Sequence, residues 1–129
     1  MKVIDTDVLI DHFHGNRQAT RLVRDWLLAG ETLAISVVTV AEILAGMRSG
    51  EESDTEALLS LFHTHAVDEP LARAAGAYLN QFGRVHRMDL GDAVVAATAK
   101  TLSAPLVTRN RRHYPMTDIE VLVPYERGA

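Results

Sequence analysis

Residues 2–10 read Lys-Val-Ile-Asp-Thr-Asp-Val-Leu-Ile, and they place Asp5 and Asp7 inside an otherwise apolar run. The two β-branched residues before Asp5 are typical of the end of a short buried strand. The three apolar residues after Asp7 are typical of the start of a helix, so both acids are predicted at a strand-to-helix junction. In an open α/β sheet, ligands bind at that edge. The structural alternative is that Asp7 caps the helix and Asp5 shapes the turn.

Length and composition predict one globular domain covering residues 1–129. The chain is 47% hydrophobic, which is enough for one core, and it contains no cysteine. Disulfides, thiolate metal sites and cysteine nucleophiles are therefore excluded, and a reducing, cytoplasmic location is expected. Neither a secretion signal nor a run long enough to span a bilayer is present, so no membrane partner is expected. The formal net charge of −4 means that a nucleic-acid role needs locally clustered Arg and Lys, or metal ions.

Strand and helix patterns alternate along the chain. Strands are predicted at the start of the chain up to Ile4 and at 33–36, 65–67, 106–108 and 119–123. Helices are predicted at 8–13, 18–28, 38–47, 52–62, 69–83 and 90–102, and residues 109–114 as a loop or short helical turn. This order favours the α/β class, with a short, mostly parallel, twisted sheet flanked by helices on both faces.

Two further carboxylates lie in apolar helical patterns. Glu42 follows Val-Val-Thr-Val-Ala, and a buried carboxylate there has to be paired or bind a metal. Its alternative is a narrow solvent stripe shared with Thr39. Asp92 begins a helix of small apolar residues. Its alternative is a capping box with Asp89, in which both acids also favour the helix dipole.

A fourth polar position follows the predicted strand at 106–108. Thr108 and Asn110 are either turn residues or oxygen ligands at the same edge of the sheet. Asp5, Glu42 and Asp92, if brought together there, would raise one another's pKa unless a cation lay among them. Hard oxygen ligands without cysteine favour Mg²⁺ or Mn²⁺ over zinc. Such a site activates water and screens the charge of a phosphate.

Four blocks of the sequence resemble the PIN-domain ribonuclease family, and specifically its VapC-type toxins. The blocks are IDTDVLID (4–11), SVVTVAEILAGM (36–47), LGDAVVAATAK (90–100) and LVTRNRRHY (106–114). Each is weak alone, but their order and spacing cover nearly the whole chain. The resemblance implies a metal-dependent endoribonuclease that leaves a 5′-phosphate and a 3′-hydroxyl. It also implies a cognate VapB-type antitoxin and a homodimer.

The resemblance assigns roles to individual residues. Asp5, Glu42 and Asp92 match the family's three best-kept acids and would be both the catalytic residues and the ligands of Mg²⁺ or Mn²⁺. Asp7 matches a position that is often Asp, Asn or Ser, and is a supporting residue. Three more supporting residues are chosen for their side chains and not from the resemblance: Thr6 and Asn110 could orient a bound water or the scissile phosphate, and Thr108 could complete a ring of oxygen ligands. Asn110 falls where many members carry a fourth acid, which puts tight binding of a second metal in doubt.

Basic residues flank the same predicted edge. Arg87 precedes Asp92, and three more follow the strand at 106–108: Arg109, Arg111 and Arg112. They are candidates for holding RNA backbone, and the alternative is an ordinary solvated surface.

Two other functions stay open at this point. A response-regulator receiver also clusters acids at strand ends, and Asp68 could serve as its phosphorylatable residue. The segment at 108–110 offers no lysine for it, however. The second is a catalytically weakened PIN-like domain that binds RNA or protein, for which Asn110 leaves room and against which Asp5, Glu42 and Asp92 argue.

Overall fold

The computed structural model describes residues 1–125. Its strands are β1 (Lys2–Ile4), β2 (Leu33–Ser36), β3 (His63–His65), β4 (Leu106–Val107) and β5 (Val121–Leu122). Its α-helices are α1 (Thr6–Phe13), α2 (Arg17–Leu28), α3 (Val37–Ala45), α4 (Glu52–Leu59), α5 (Glu69–His86) and α6 (Leu90–Leu102). A 3₁₀ turn at Arg111–His113 confirms the short helical turn predicted within residues 109–114.

The five strands form one parallel sheet in the order β3-β2-β1-β4-β5. The α/β class with a parallel sheet is therefore confirmed. The chain moves outward from β1 to one side and then returns to β4 on the other side, so the order reverses between β1 and β4. This reversal opens a crevice at the carboxyl ends of those two strands, which is where an α/β sheet binds ligands. Asp5 and Thr108 are the first residues after them.

Helices cover both faces of the sheet. The two buried residues of β1 show which helices cover each face. Val3 and Ile4 are both fully buried, but they point to opposite faces because side chains alternate along a strand. Val3 packs in a core with residues of α5 and α6. Ile4 packs in a second core with residues of α1 to α4. A strand that is buried on both sides has to be apolar throughout, apart from its end.

The first helix begins two residues earlier than predicted. Asp5 has an extended backbone and its Oδ1 accepts a 2.8 Å hydrogen bond from the Thr6 amide, so Asp5 is the N-cap of α1. The alternative in which Asp7 caps the helix is wrong, because Asp7 lies in the first turn. Acids are favourable at both positions, near the positive end of the helix dipole.

Two other predicted boundaries differ from the structure for a reason that the contacts show. The third strand is His63–His65 and not 65–67, because Ala34 of β2 pairs with His63 and Ser36 with His65. Helix α5 continues to His86 and not 83. It ends at Arg87, which has a left-handed backbone (φ 53°), as helix ends often do. The ends of the remaining elements match the prediction to within three residues. None of the described helices is long and apolar enough to cross a membrane.

Candidate active site

Asp5 is held by three hydrogen-bond donors at the carboxyl end of β1. Its Oδ1 accepts from the Thr6 amide, and its Oδ2 accepts from the Thr108 hydroxyl at 2.7 Å and the Tyr114 hydroxyl at 2.9 Å. The residue is only 7% exposed. A buried carboxylate needs such donors to offset its lost hydration. They also fix its orientation in the crevice between β1 and β4.

The Tyr114 hydroxyl links Asp5 to Asp92. It lies 2.9 Å from Oδ2 of Asp5 and 3.3 Å from Oδ1 of Asp92, and the tyrosine is buried. Tyr114 was not among the site residues predicted from the sequence. Its position eight residues after the start of β4 carries no local signal of a contact with a residue 109 positions earlier.

Asp92 caps helix α6 and also lies beside Asp5. It forms a capping box with Asp89 at the start of α6: the Asp89 side chain accepts from the Asp92 amide, and the Asp92 side chain accepts from the Asp89 amide. The capping alternative is therefore confirmed. Asp92 also contacts Tyr114 and lies 3.3 Å from Nδ1 of His113. Capping uses only part of its carboxylate and anchors it beside Asp5.

Glu42 approaches the same site from α3. Thr6 donates a 3.0 Å hydrogen bond to Oε1 of Glu42 and lies 3.0 Å from the hydroxyl of Thr39. Thr39 is fully buried whereas Glu42 is exposed, so the two do not share a solvent stripe, and Glu42 is not the buried carboxylate considered above. A Cβ atom at Gly91 would lie 3.6 Å from Glu42 Oε1. Glu42 therefore faces the start of α6, one residue from Asp92.

Asp7 anchors the segment that follows β4. Its Oδ2 accepts hydrogen bonds from the Arg109 amide at 3.2 Å and the Asn110 side-chain amide at 3.1 Å. The Arg109 guanidinium is 14% exposed and its Nε lies 3.7 Å from Asp7 and 3.2 Å from Asp11. Asp11 in turn accepts from the Tyr125 hydroxyl at 2.8 Å. Arg109 thus neutralises two acids, and Asn110 serves Asp7 as a donor.

Burial and neighbouring negative charges raise the pKa of Asp5, Asp7 and Asp92, which together with Glu42 form the acid cluster. Burial, followed by the charge of Asp7, raises the pKa of Asp5 to about 7, although the hydrogen bonds from Thr108 and Tyr114 oppose the shift. Burial also raises the pKa of Asp7 and of Asp92. The pKa of Tyr114 is raised by burial and by the neighbouring Asp5 and Asp92 charges, so its hydroxyl stays protonated. A bound cation would offset the cost of ionising these acids.

The donor set fits a hard divalent cation in its chemistry. Asp5, Asp7, Glu42 and Asp92 offer only oxygen ligands, which suit Mg²⁺ and Mn²⁺. Oδ1 of Asp7 is buried without a hydrogen-bond partner among the described residues, which is costly for a carboxylate unless a cation or water meets it. Over residues 1–125, the side chains of Asp, Glu, His and Cys do not form a group of three or more that could hold a metal. Asp5 and Asp92 form a pair because both contact the Tyr114 hydroxyl. Glu42 is linked to Asp5 through Thr6, whose hydroxyl donates to Glu42 and whose amide donates to Asp5.

A basic groove of about 1090 Å³ lies beside the acid cluster. Its lining includes Arg87 from the end of α5, and Arg111 and Arg112 from the 3₁₀ turn. His113 and Tyr114, which contact Asp92, also line it. Arg109 does not line the groove, because its side chain is directed to Asp7 and Asp11. Three of the four arginines singled out from the sequence therefore share one concave surface.

Comparison with known proteins assigns the chain to a family. The PIN-domain family model matches residues 2–118. The chain is 41% identical over 120 residues to the protein named ribonuclease VapC10 of Mycobacterium tuberculosis, covering 90% of this chain and 87% of the relative. It is 38% identical over 117 residues to the protein named ribonuclease VapC19 of the same organism, covering 90% and 94%.

A solved structure agrees over the full length. One chain of a toxin–antitoxin complex from Klebsiella pneumoniae superimposes with a TM-score of 0.81 at 28% identity, covering 98% of this chain and 99% of that chain. From its sequence, its sheet and these relatives, the chain belongs to the PIN-domain family and is similar to its VapC-type members.

Proposed function

We propose that this protein is a Mg²⁺- or Mn²⁺-dependent endoribonuclease and the toxin of a type II toxin–antitoxin pair. One observation supports this proposal most directly. Asp5 and Asp92 both contact the Tyr114 hydroxyl at the carboxyl end of β1, and Glu42 accepts a hydrogen bond from Thr6 beside them. Relatives named as ribonucleases, at 38–41% identity, support RNA as the substrate. An RNA substrate also supports a cytoplasmic location.

In this proposal Asp5, Glu42 and Asp92 hold the cation. When bound, the cation lowers the pKa of a water and offsets the charge that develops on the phosphate. Thr6 and Thr108 keep Glu42 and Asp5 in place through their hydroxyls. Asp7 and Asn110 hold the backbone after β4 against the site. As the resemblance implies, the products would carry a 5′-phosphate and a 3′-hydroxyl.

The arginines would hold the RNA strand beside the acids. Arg87, Arg111 and Arg112 line the groove that contains His113 and Tyr114, and positively charged side chains along a groove bind phosphates. Arg109 was also a candidate for RNA contact. Its pairing with Asp7 and Asp11 favours a role in shaping the site.

The partners are also proposals. A VapB-type antitoxin is supported by the toxin–antitoxin complex among the structural neighbours. A homodimer would cover large apolar side chains that lie more than half exposed on this chain, among them Leu28, Val85 and Leu90. Light scattering at micromolar concentration, with and without the co-expressed antitoxin, measures both states, and a purely monomeric mass without antitoxin would contradict the homodimer.

The testing experiment is cleavage of total RNA by antitoxin-free protein with Mg²⁺ or Mn²⁺, run beside EDTA. Asp5→Asn is the inactive variant, and Asp25→Asn, an exposed acid on α2, is its matched control. We expect discrete fragments with metal for the wild type and Asp25→Asn, and none with EDTA or Asp5→Asn. Equal cleavage by Asp5→Asn would contradict the assignment. No cleavage by folded wild type would favour the RNA- or protein-binding module.

A further inference from the structure

Tyr114 contacts both Asp5 and Asp92, two of the proposed ligands of the cation. Its hydroxyl lies 2.9 Å from Asp5 Oδ2 and 3.3 Å from Asp92 Oδ1. A phenol has a single hydrogen to donate, so the two acids share one donor. The side chain is 2% exposed, and its ring is therefore held by packing while its hydroxyl faces both acids.

The remaining hydrogen bonds leave a specific pair of oxygens with free capacity. Each carboxylate oxygen can accept about two hydrogen bonds. Among residues 1–125, Oδ2 of Asp5 accepts from Thr108 and Tyr114, whereas its Oδ1 accepts from the Thr6 amide alone. In the same part of the chain, Oδ2 of Asp92 contacts the Asp89 amide and His113, whereas its Oδ1 contacts Tyr114 alone. The Oδ1 atoms of both acids can therefore take another ligand without losing a hydrogen bond.

We propose that Tyr114 is a positioning residue that holds Asp5 and Asp92 in the arrangement in which their Oδ1 atoms bind the divalent cation. This inference rests on the proposed function. Two neighbouring carboxylates repel each other, and capping fixes Asp92 only through its Oδ2. Without the hydroxyl, Asp92 Oδ1 loses its contact with Tyr114, and the carboxylate turns away from Asp5. Outer partners of metal ligands act in this way in other proteins.

The test is calorimetric titration of Mn²⁺ into the antitoxin-free wild type and into Tyr114→Phe. The matched control is Tyr78→Phe, because Tyr78 is also buried and also donates to a carboxylate, Asp118, at 2.8 Å, but outside the cluster. We expect Tyr114→Phe to bind Mn²⁺ about 10-fold more weakly and Tyr78→Phe to bind as the wild type does. Equal or tighter binding by Tyr114→Phe would overturn the inference and leave the proposed function intact.

The Asp5→Asn variant distinguishes failure of the proposed cation site from failure of the role proposed for Tyr114. If the wild type binds Mn²⁺ and Asp5→Asn binds it equally well, or if the wild type binds none, both the cation site and the role of Tyr114 fail. Loss of binding only in Asp5→Asn, with Tyr114→Phe unaffected, removes the role of Tyr114 alone.

A second measurement uses the wild-type protein and does not depend on the folding of a variant. The Tyr114 hydroxyl proton is followed by NMR in protein labelled with ¹³C at the tyrosine ζ carbon, with and without saturating Mg²⁺. We expect slow exchange with water in both states, since the cation would bind the Oδ1 atoms and leave the hydrogen bond to Asp5 Oδ2. Fast exchange after Mg²⁺ is added would mean that the cation displaces the hydroxyl, and would overturn the inference.

Discussion

The hydroxyl of Thr108 donates a 2.7 Å hydrogen bond to Oδ2 of Asp5. This contact joins the first residues after β4 and β1, the two strands between which the sheet order reverses. Both residues are buried, so the bond is shielded from water. It holds the first acid of the cluster at the point where the fold opens a crevice.

Removal of this bond should destabilise the protein. Thr108→Val keeps the shape of the side chain but leaves Asp5 with one donor fewer, and a buried hydrogen bond to a charged group contributes about 1.5–3 kcal/mol. We expect the free energy of unfolding in urea at pH 8 to fall by about that amount. Thr98→Val is the control, since Thr98 is equally buried but donates to the Val94 carbonyl within α6. A loss no larger than that of the control would show that the bond contributes little.

The stability of the metal-free protein should fall as the pH rises. The pKa of Asp5 is raised to about 7 from an ordinary 3.8, so the folded state binds its proton more tightly than the unfolded state does. Stability is therefore highest below about pH 4 for this group and is lost up to pH 7, by about 4 kcal/mol in total. Urea unfolding in EDTA of the wild type and of Asp5→Asn measures the difference.

Divalent cations should reverse this loss. In the proposed site, ionised Asp5 and Asp92 would bind the cation at pH 8, and a ligand that binds only the folded state stabilises it. We expect added Mn²⁺ to raise the unfolding midpoint of the wild type at pH 8 more than at pH 5, and to have little effect on Asp5→Asn. In the EDTA experiment on pH, a difference between the free energies of unfolding of the wild type and Asp5→Asn that stayed the same at every pH would show that the raised pKa of Asp5 does not contribute to stability.

The groove arginines should contribute to RNA binding through phosphate contacts. Arg111→Ala with Arg112→Ala is expected to weaken binding of single-stranded RNA, and to reduce the slope of log affinity against log salt by about 1.4, or 0.7 for each lost contact. Fluorescence anisotropy in the Asp5→Asn background avoids cleavage. Arg17→Ala with Arg21→Ala on α2, also exposed, is the control. An unchanged slope would show that Arg111 and Arg112 make no phosphate contacts and are ordinary solvated side chains.

Loss of the Arg109 side chain should lower the free energy of unfolding more than loss of an exposed arginine does. Arg109→Ala leaves Asp7 and Asp11 without their cation in a poorly solvated place, and loss of one partner of a buried ion pair costs about 3 kcal/mol. Arg73→Ala, which removes an exposed pair with Glu69, is expected to cost less than about 0.5 kcal/mol. Urea unfolding at pH 7 compares them. Adding Asp7→Asn should recover part of the loss; no recovery would contradict the role of Arg109 as counter-ion.

Much of the fold followed from local patterns. The alternation of strands and helices predicted the α/β class and the parallel sheet, because a strand buried on both faces is apolar and a covering helix is amphipathic. The capping box at the start of α6 was readable from Asp89 and Asp92 alone, since its partners are three residues apart. The third strand was misplaced because its position is set by pairing with β2 and its own sequence, His-Thr-His, carries no strand pattern.

The acids were visible in the sequence, but their surroundings were not. Asp5, Glu42 and Asp92 were candidates because carboxylates are costly in apolar patterns. Tyr114, the direction of Arg109 and the donor role of Asn110 depend on contacts across more than 90 residues of chain. Only the packing of β4 beside β1 brings those groups together. The sequence by itself determined which side chains were candidates for the site and which fold class they lie in, because side-chain type and periodicity are local properties. The tertiary structure decided which groups share a proton or a charge, because these interactions depend on distance in space.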